Sequence, residues 1–206
     1  CQMFTYKNMN EEKIMNNNIS NYCKNCLSAG TDAFSGLNIK INKFSNYHSE
    51  IQTNIEKKKI KKLNFKQKLN LKIDRINIGE VSLSATYRYF SIGEYDFLNK
   101  KRFEKIFDNY LISALITKKV FENFIKHNKF DTVILDHGIY VPNGIILEIL
   151  KRENIYNIVY GTGYRKSTVI FAKNDNYHRG LLIEKNSNWR NFKLNKKNNK
   201  DLKDYL

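Results

Sequence analysis

The chain has 206 residues and a formal charge of +16, from 36 Lys and Arg against 20 Asp and Glu. With 41% apolar residues, 13 Phe and 13 Tyr it can fill one globular core, which excludes a wholly disordered chain and two full-sized α/β domains. No apolar run nears the ~18 residues of a membrane span, so no bilayer-crossing segment is expected.

Residues 1–30 are polar and Asn-rich, and predict loops and short helices with little core. The chain begins at Cys1 rather than Met, which reads as a fragment or a processed product. Three Cys is an odd number, so a disulfide framework is not expected, and a reducing cytoplasm is the default compartment. Cys23 and Cys26 have the spacing of half a zinc site, but the other half is absent. Ordinary thiols and metal or redox use both stay open there, and no metal site is assigned.

Residues 49–66 hold Lys57, Lys58, Lys59, Lys61 and Lys62, the pattern of a solvated helix face or exposed connection. The chain has 29 Lys, 29 Asn and only 7 Arg. Lys, Asn and Ile share AT-rich codons, so the Lys excess looks compositional. A dedicated nucleic-acid binder would favour the bidentate fork of Arg. No sequence-specific nucleic-acid binding is therefore expected, although a basic nucleic-acid-binding protein using residues 57–72 stays as an alternative. Such a surface also attracts phosphates, sugar nucleotides and anionic lipid headgroups, which makes a peripheral contact with an anionic membrane a further expectation.

From Gly79 to Phe90 the apolar positions fit a strand or a helix, and Glu80 in a first turn favours the helix. Between 99 and 128, Phe103, Ile106, Phe107, Tyr110, Leu111, Ala114, Leu115, Val120, Phe121, Phe124 and Ile125 recur at steps of three and four. They predict one long amphipathic helix whose stripe packs on a sheet. Residues 131–135 form a short β-branched run that reads as a buried parallel strand, ending at Asp136-His137-Gly138. Pro142 suits a first helical position, with Ile145, Ile146, Ile149 and Leu150 as the buried face. Residues 156–160 are the next strand, so strand, helix and strand make a βαβ unit and a parallel sheet. A further strand covers 168–172, and residues 186–206 read as a frayed tail or link. The organisation is then a polar segment over 1–30, an α/β domain over 31–185, and an Asn/Lys-rich tail over 186–206. Neither a Walker-type loop nor a complete dinucleotide fingerprint follows these strands.

Ligands of open α/β sheets sit beyond the carboxyl ends of the strands. The first such end carries Asp136, His137, Gly138, Tyr140 and Asn143. His137 is the natural general base, with an unperturbed pKa near ~6.5. Asp136 orients the imidazole or is itself the base, and free N–H groups near Asn143 and Gly144 would face the same mouth. The bland alternative for His137 is a hydrogen-bonding loop residue. The second strand end carries Gly161, Gly163, Tyr164, Arg165 and Lys166, either an anion-binding loop or a solvated hairpin. Asp175 reads as a helix cap, while His178 and Arg179 are unexplained by packing and are candidates to face the same mouth.

Residues 79–88, then 131–143 with His137-Gly138-Ile139-Tyr140-Val141-Pro142, then Gly163-Tyr164-Arg165-Lys166 and Tyr177-His178, resemble a group of bacterial glycosyltransferase-like proteins. These serve capsule and other surface-polysaccharide biosynthesis, with the two-domain GT-B architecture. The region from Cys23-x-x-Cys26 to Gly36-Leu37 is similar to their early part. The resemblance implies a Rossmann-like parallel sheet flanked by helices, as the N-terminal, acceptor-binding half of such an enzyme. Its first strand and glycine loop would precede Cys1, and a donor-binding domain would lie outside the chain. It also implies sugar transfer from a nucleotide sugar to a glycan or lipid-linked acceptor. The base would be His137 or Asp136, and Gly138, Tyr140, Asn143, Tyr164, Arg165, Lys166, Tyr177 and His178 would bind substrate. No cofactor is implied beyond the donor as co-substrate. The rival readings are a non-catalytic module that binds a glycan or a protein, and the nucleic-acid binder named above.

Overall fold

The computed structural model describes residues 19–93, 100–163, 165–182 and 193–205. Helix α1 (Ile19–Asp32) holds Cys23 and Cys26, whose side chains lie outside the described part. After a 3-10 turn at Phe44–Tyr47 come α2 (Glu50–Lys61) and α3 (Phe65–Leu69). Both open on a capping box, Ser49 with Gln52 and Asn64 with Gln67, in which side chain and backbone satisfy each other's orphan N–H groups. Lys57, Lys58, Lys59 and Lys61 are exposed on α2, as a solvated face requires.

Strands β1 (Lys72–Ile73) and β2 (Ile76–Asn77) form a small antiparallel hairpin. Its turn residues Asp74 and Arg75 both take positive φ, which matches the right-handed twist of the flanking strands. Helix α4 (Ile78–Phe90) follows at once and ends at Ser91 in the left-handed region. Gly79 lets α4 lie against the Lys68 and Leu69 carbonyls, where a Cβ would collide with backbone.

Helix α5 (Lys100–His127) is the long amphipathic helix of 28 residues. Phe103, Ile106, Phe107, Leu111, Ala114, Leu115, Val120 and Phe121 are buried along it. Its main neighbours are α4, α2 and α6 (Asn143–Arg152), so the stripe expected to rest on a sheet is filled chiefly by other helices. The elements that lie against the sheet are α6 and α7 (Tyr177–Leu182).

The larger sheet has the order β3 (Val133–Asp136), β4 (Asn157–Thr162), β5 (Val169–Lys173). Strands β3 and β4 are parallel, with Leu135 opposite Val159, and α6 connects them as the βαβ pattern predicts. Strand β5 runs antiparallel to β4, so the sheet is mixed rather than wholly parallel. The reason is chain length: β4 and β5 are joined only by residues 163–168, enough for a hairpin and too few for a crossover, which takes roughly a dozen residues.

One face of this sheet carries Leu135, Val159, Gly161 and Ala172 toward the helices. The opposite face is open: Ile134 is 65% exposed, Phe171 65%, Val169 61% and Tyr160 42%. The strand at 131–135, expected to be buried, therefore alternates, with only Leu135 buried among Val133–Asp136. The parallel sheet flanked by helices reduces, among the described residues, to a mixed α/β layer covered on one side. Residues Lys196–Tyr205, expected as a tail, form helix α8, exposed along most of its length. Among the described residues no helix is long and apolar enough to cross a membrane.

Charged side chains fasten the helices. Lys118 of α5 is buried and donates to Asp74 at 2.6 Å and to Glu122 at 2.9 Å, while Arg152 of α6 reaches Glu122 at 2.8 Å. The small hairpin, α5 and α6 are thereby tied at one corner. Glu56 of α2 is only 1% exposed and takes Lys119 at 2.6 Å and Lys59 at 3.2 Å. Burial pushes its carboxyl up, but the hydrogen bonds and charges of Lys119 and Lys59 together outweigh this and hold it below the usual range. A depressed carboxyl stabilises the fold above its unfolded pKa, near ~4.3, and that contribution is lost as pH falls through the lower folded value. Glu56→Gln is expected to cost about 1–3 kcal/mol near neutral pH. Urea unfolding should show the gap between variant and parent closing as pH drops well below ~4.3.

Candidate functional site

The site begins where β3 runs out. His137 takes φ 58° and Gly138 φ 64°, so two successive left-handed residues turn the chain off the sheet. His tolerates this region better than most residues, and such backbone clusters at functional sites. Gly138 has no alternative: a Cβ there would stand 3.0 Å from both Leu147 Cδ2 and Val159 Cγ1. The turn is pinned by the His137 N–H donating to the Tyr160 carbonyl at 2.8 Å and by Asn143 Nδ2 donating to the Asp136 carbonyl at 2.8 Å.

The His137 ring is held at one nitrogen and flanked by a carboxylate at the other. Nδ1 lies 2.8 Å from the Tyr177 hydroxyl, and Nε2 lies 3.8 Å from Asp136 Oδ1. With Nδ1 protonated and donating to Tyr177, Nε2 is the free base, and Asp136 stands where it stabilises the imidazolium that proton uptake creates. Tyr177 is buried at the start of α7, and it fits only because position 161 is glycine. A Cβ on Gly161 would meet the Tyr177 ring at 2.7 Å. The His137 side chain is 32% exposed, so the imidazole is supported from within and open toward solvent.

That opening is a cavity of about 630 Å³. Asp136, His137, Tyr140 and Asn143 line it from the β3 end, Arg88 from α4, and Tyr110 and Ser113 from α5. Burial, then the neighbouring Tyr89, push the Tyr110 hydroxyl up, with Arg88 opposing, so the phenol stays a neutral donor. The Arg88 guanidinium sits over the Tyr140 ring at 4.9 Å, and the pair also borders a second cavity of about 770 Å³ with His178 and Asn176. Tyr140 and Arg88 thus form the wall common to both.

Of the residues singled out in the sequence, Asp136, His137, Tyr140 and Asn143 share the first cavity, Gly138 and Tyr177 support it, and His178 lines the second. Arg165 and Lys166 stand apart on the exposed tip of the β4–β5 hairpin, closed by the Gly163 and Thr168 backbones, and line neither cavity. Tyr164 lies outside the described residues. The N–H of Gly144 is taken by the Tyr140 carbonyl at 2.7 Å, so it is not offered to the mouth. Pro142 caps α6 one position earlier than expected and follows a cis peptide bond. Among the described residues no group of three His, Cys, Asp or Glu converges as a metal site.

Arg88, Tyr110 and Ser113 were not foreseen as site residues. Their signal is tertiary: each is an ordinary polar position on a helix until α4 and α5 are folded over the β3 end. No protein-family model matches the chain, and searches of curated proteins and of solved structures likewise returned no match.

Proposed function

We propose that this domain is the acceptor-binding part of a glycosyltransferase of surface-polysaccharide biosynthesis, built on the Rossmann-like half of a GT-B architecture. The observation that carries the reading is His137, fixed by Tyr177 on Nδ1 and flanked by Asp136 on Nε2, at the mouth of a cavity walled by Tyr140. A sugar ring stacks on an aromatic face, and its hydroxyl needs a base within hydrogen-bond reach. In the reaction, the acceptor hydroxyl oxygen forms a bond to the anomeric carbon of the donor. Its proton passes to His137 Nε2. The bond from the anomeric carbon to the nucleoside diphosphate breaks, and the diphosphate leaves with the electron pair. Holding the donor falls to a unit outside this chain.

The test is acceptor binding by saturation-transfer NMR, with oligosaccharides presented to the purified chain. Contacts are expected on the Tyr140 side of the first cavity, and Tyr140→Ala should weaken binding by about tenfold through loss of stacking. Absence of binding to any oligosaccharide, or binding indifferent to Tyr140→Ala, would defeat the reading.

A further inference from the structure

Arg88 differs from the other charged groups of the core region. Lys118, Lys119, Lys68, Lys151 and Arg152 are each matched to a carboxylate. Arg88 enters no ion pair among the described residues; its partner is the Tyr140 ring. A cation in the last turn of α4 suits the helix macrodipole, but that does not account for its place over an aromatic face between two cavities. Held over the ring and without an ion pair among the described residues, the guanidinium keeps a fork of N–H donors of the kind that receives phosphate or carboxylate in a bidentate way.

The two cavities differ in charge. Asp136 lines the first and faces His137 there. Among the described residues the second has no Asp or Glu in its lining, and adds to Arg88 the hydroxyls of Ser84 and Ser91 and the His178 ring. Arg88 borders both, so an anion in the first compartment meets the Asp136 carboxylate beside it, whereas in the second it meets Arg88 with no carboxylate among the described lining residues. A neutral hydroxyl meets no such penalty beside His137.

We propose that the second cavity holds an anionic group, phosphate or carboxylate, of the same sugar ligand whose hydroxyl meets His137. The charge difference then sets the direction of the ligand, with its anionic end at Arg88 and His178. The identity of the ligand as a sugar rests on the glycosyl-transfer reading, while the anion site does not.

Isothermal titration with glucose, glucose 1-phosphate and glucuronic acid, each against the parent chain, Arg88→Gln and Arg88→Lys, tests this. At least one anionic sugar should bind about tenfold or more tighter than glucose, and added salt should shrink that margin. Arg88→Gln should abolish the margin with the thermal midpoint kept, because Arg88 is exposed. Arg88→Lys should restore it in part, since it returns the charge without the fork. Preference for glucose 1-phosphate assigns a phosphorylated ligand, and preference for glucuronic acid assigns a carboxylate; both support the site. Equal affinity for all three sugars, or a margin that survives Arg88→Gln, overturns it. Glycan binding and transfer without any anionic margin would leave the glycosyl-transfer reading standing and this inference fallen. An Arg88-dependent margin without transfer would do the reverse.

Discussion

His137→Ala is expected to lower the rate of sugar transfer by roughly 100-fold or more, with the fold intact, when donor, acceptor and the donor-holding unit are all supplied. The imidazole stands at the cavity mouth and is fixed by a hydrogen bond from the protein interior, through Tyr177 at 2.8 Å. Removing it takes away the proton acceptor at a position that is 32% exposed and outside the buried core. Asp136→Asn should do far less. Its carboxylate lies 3.8 Å from Nε2, beyond hydrogen-bond length, and is 53% exposed, so it acts by charge in a solvated setting. An exposed pair of this kind is worth at most about 1 kcal/mol, or about fivefold in rate. Tyr177→Phe, which keeps the packing against Gly161 and removes only the hydroxyl, should fall between the two. The order His137, Tyr177, Asp136 is the signature of a base positioned by tyrosine. A larger loss in Asp136→Asn than in His137→Ala would move the base to Asp136. Near-normal turnover in all three would remove the acid–base role and leave a binding loop.

Phe103→Ala should be among the most damaging core changes, at about 3–5 kcal/mol of unfolding free energy. Phe103 is fully buried on α5 and stands within an aromatic cluster. Its ring stacks on Phe90 at 5.9 Å between centroids and meets Tyr87 at 5.9 Å, Phe107 at 6.4 Å and Phe65 at 6.5 Å. Those partners come from α3, α4 and α5, so no single helix can move to close the void. Chemical denaturation should show a lower midpoint with an unchanged slope. Phe103→Leu, which keeps most of the volume, should recover more than half of the loss. An alanine variant within about 1 kcal/mol of the parent would mean that the cluster is not packed as described.

The parts of this fold that could be read from the sequence are those whose pattern is local. The three- and four-residue spacing from Phe103 to Ile125 gave α5 to within two residues at each end. The β-branched runs gave β3 and β4 and their parallel pairing, because only a helix separates them. The β1–β2 hairpin had no such mark: its turn is Asp74-Arg75, without the glycine that usually announces positive φ. The direction of β5 was legible in principle from the short 163–168 connection, and the expectation of a uniform parallel sheet overrode it. At the site, Asp136, His137, Tyr140 and Asn143 were legible because they follow one strand. Arg88 was not, since nothing in a helix sequence says which ring its last turn will cover. Tyr177 stands in a polar run at a helix start, and its hold on a histidine 40 positions earlier belongs to tertiary structure alone.

That hold also sets a schedule. In chain order β3, α6 and β4 precede Tyr177, so the imidazole of His137 is made before the hydroxyl that fixes it. It acquires a fixed direction only after Tyr177, among the last of the buried core residues in chain order, has emerged and seated against Gly161. A chain ending at β5 would therefore lack the hydroxyl that fixes the imidazole, so the geometry of this site is complete only once α7 has been made.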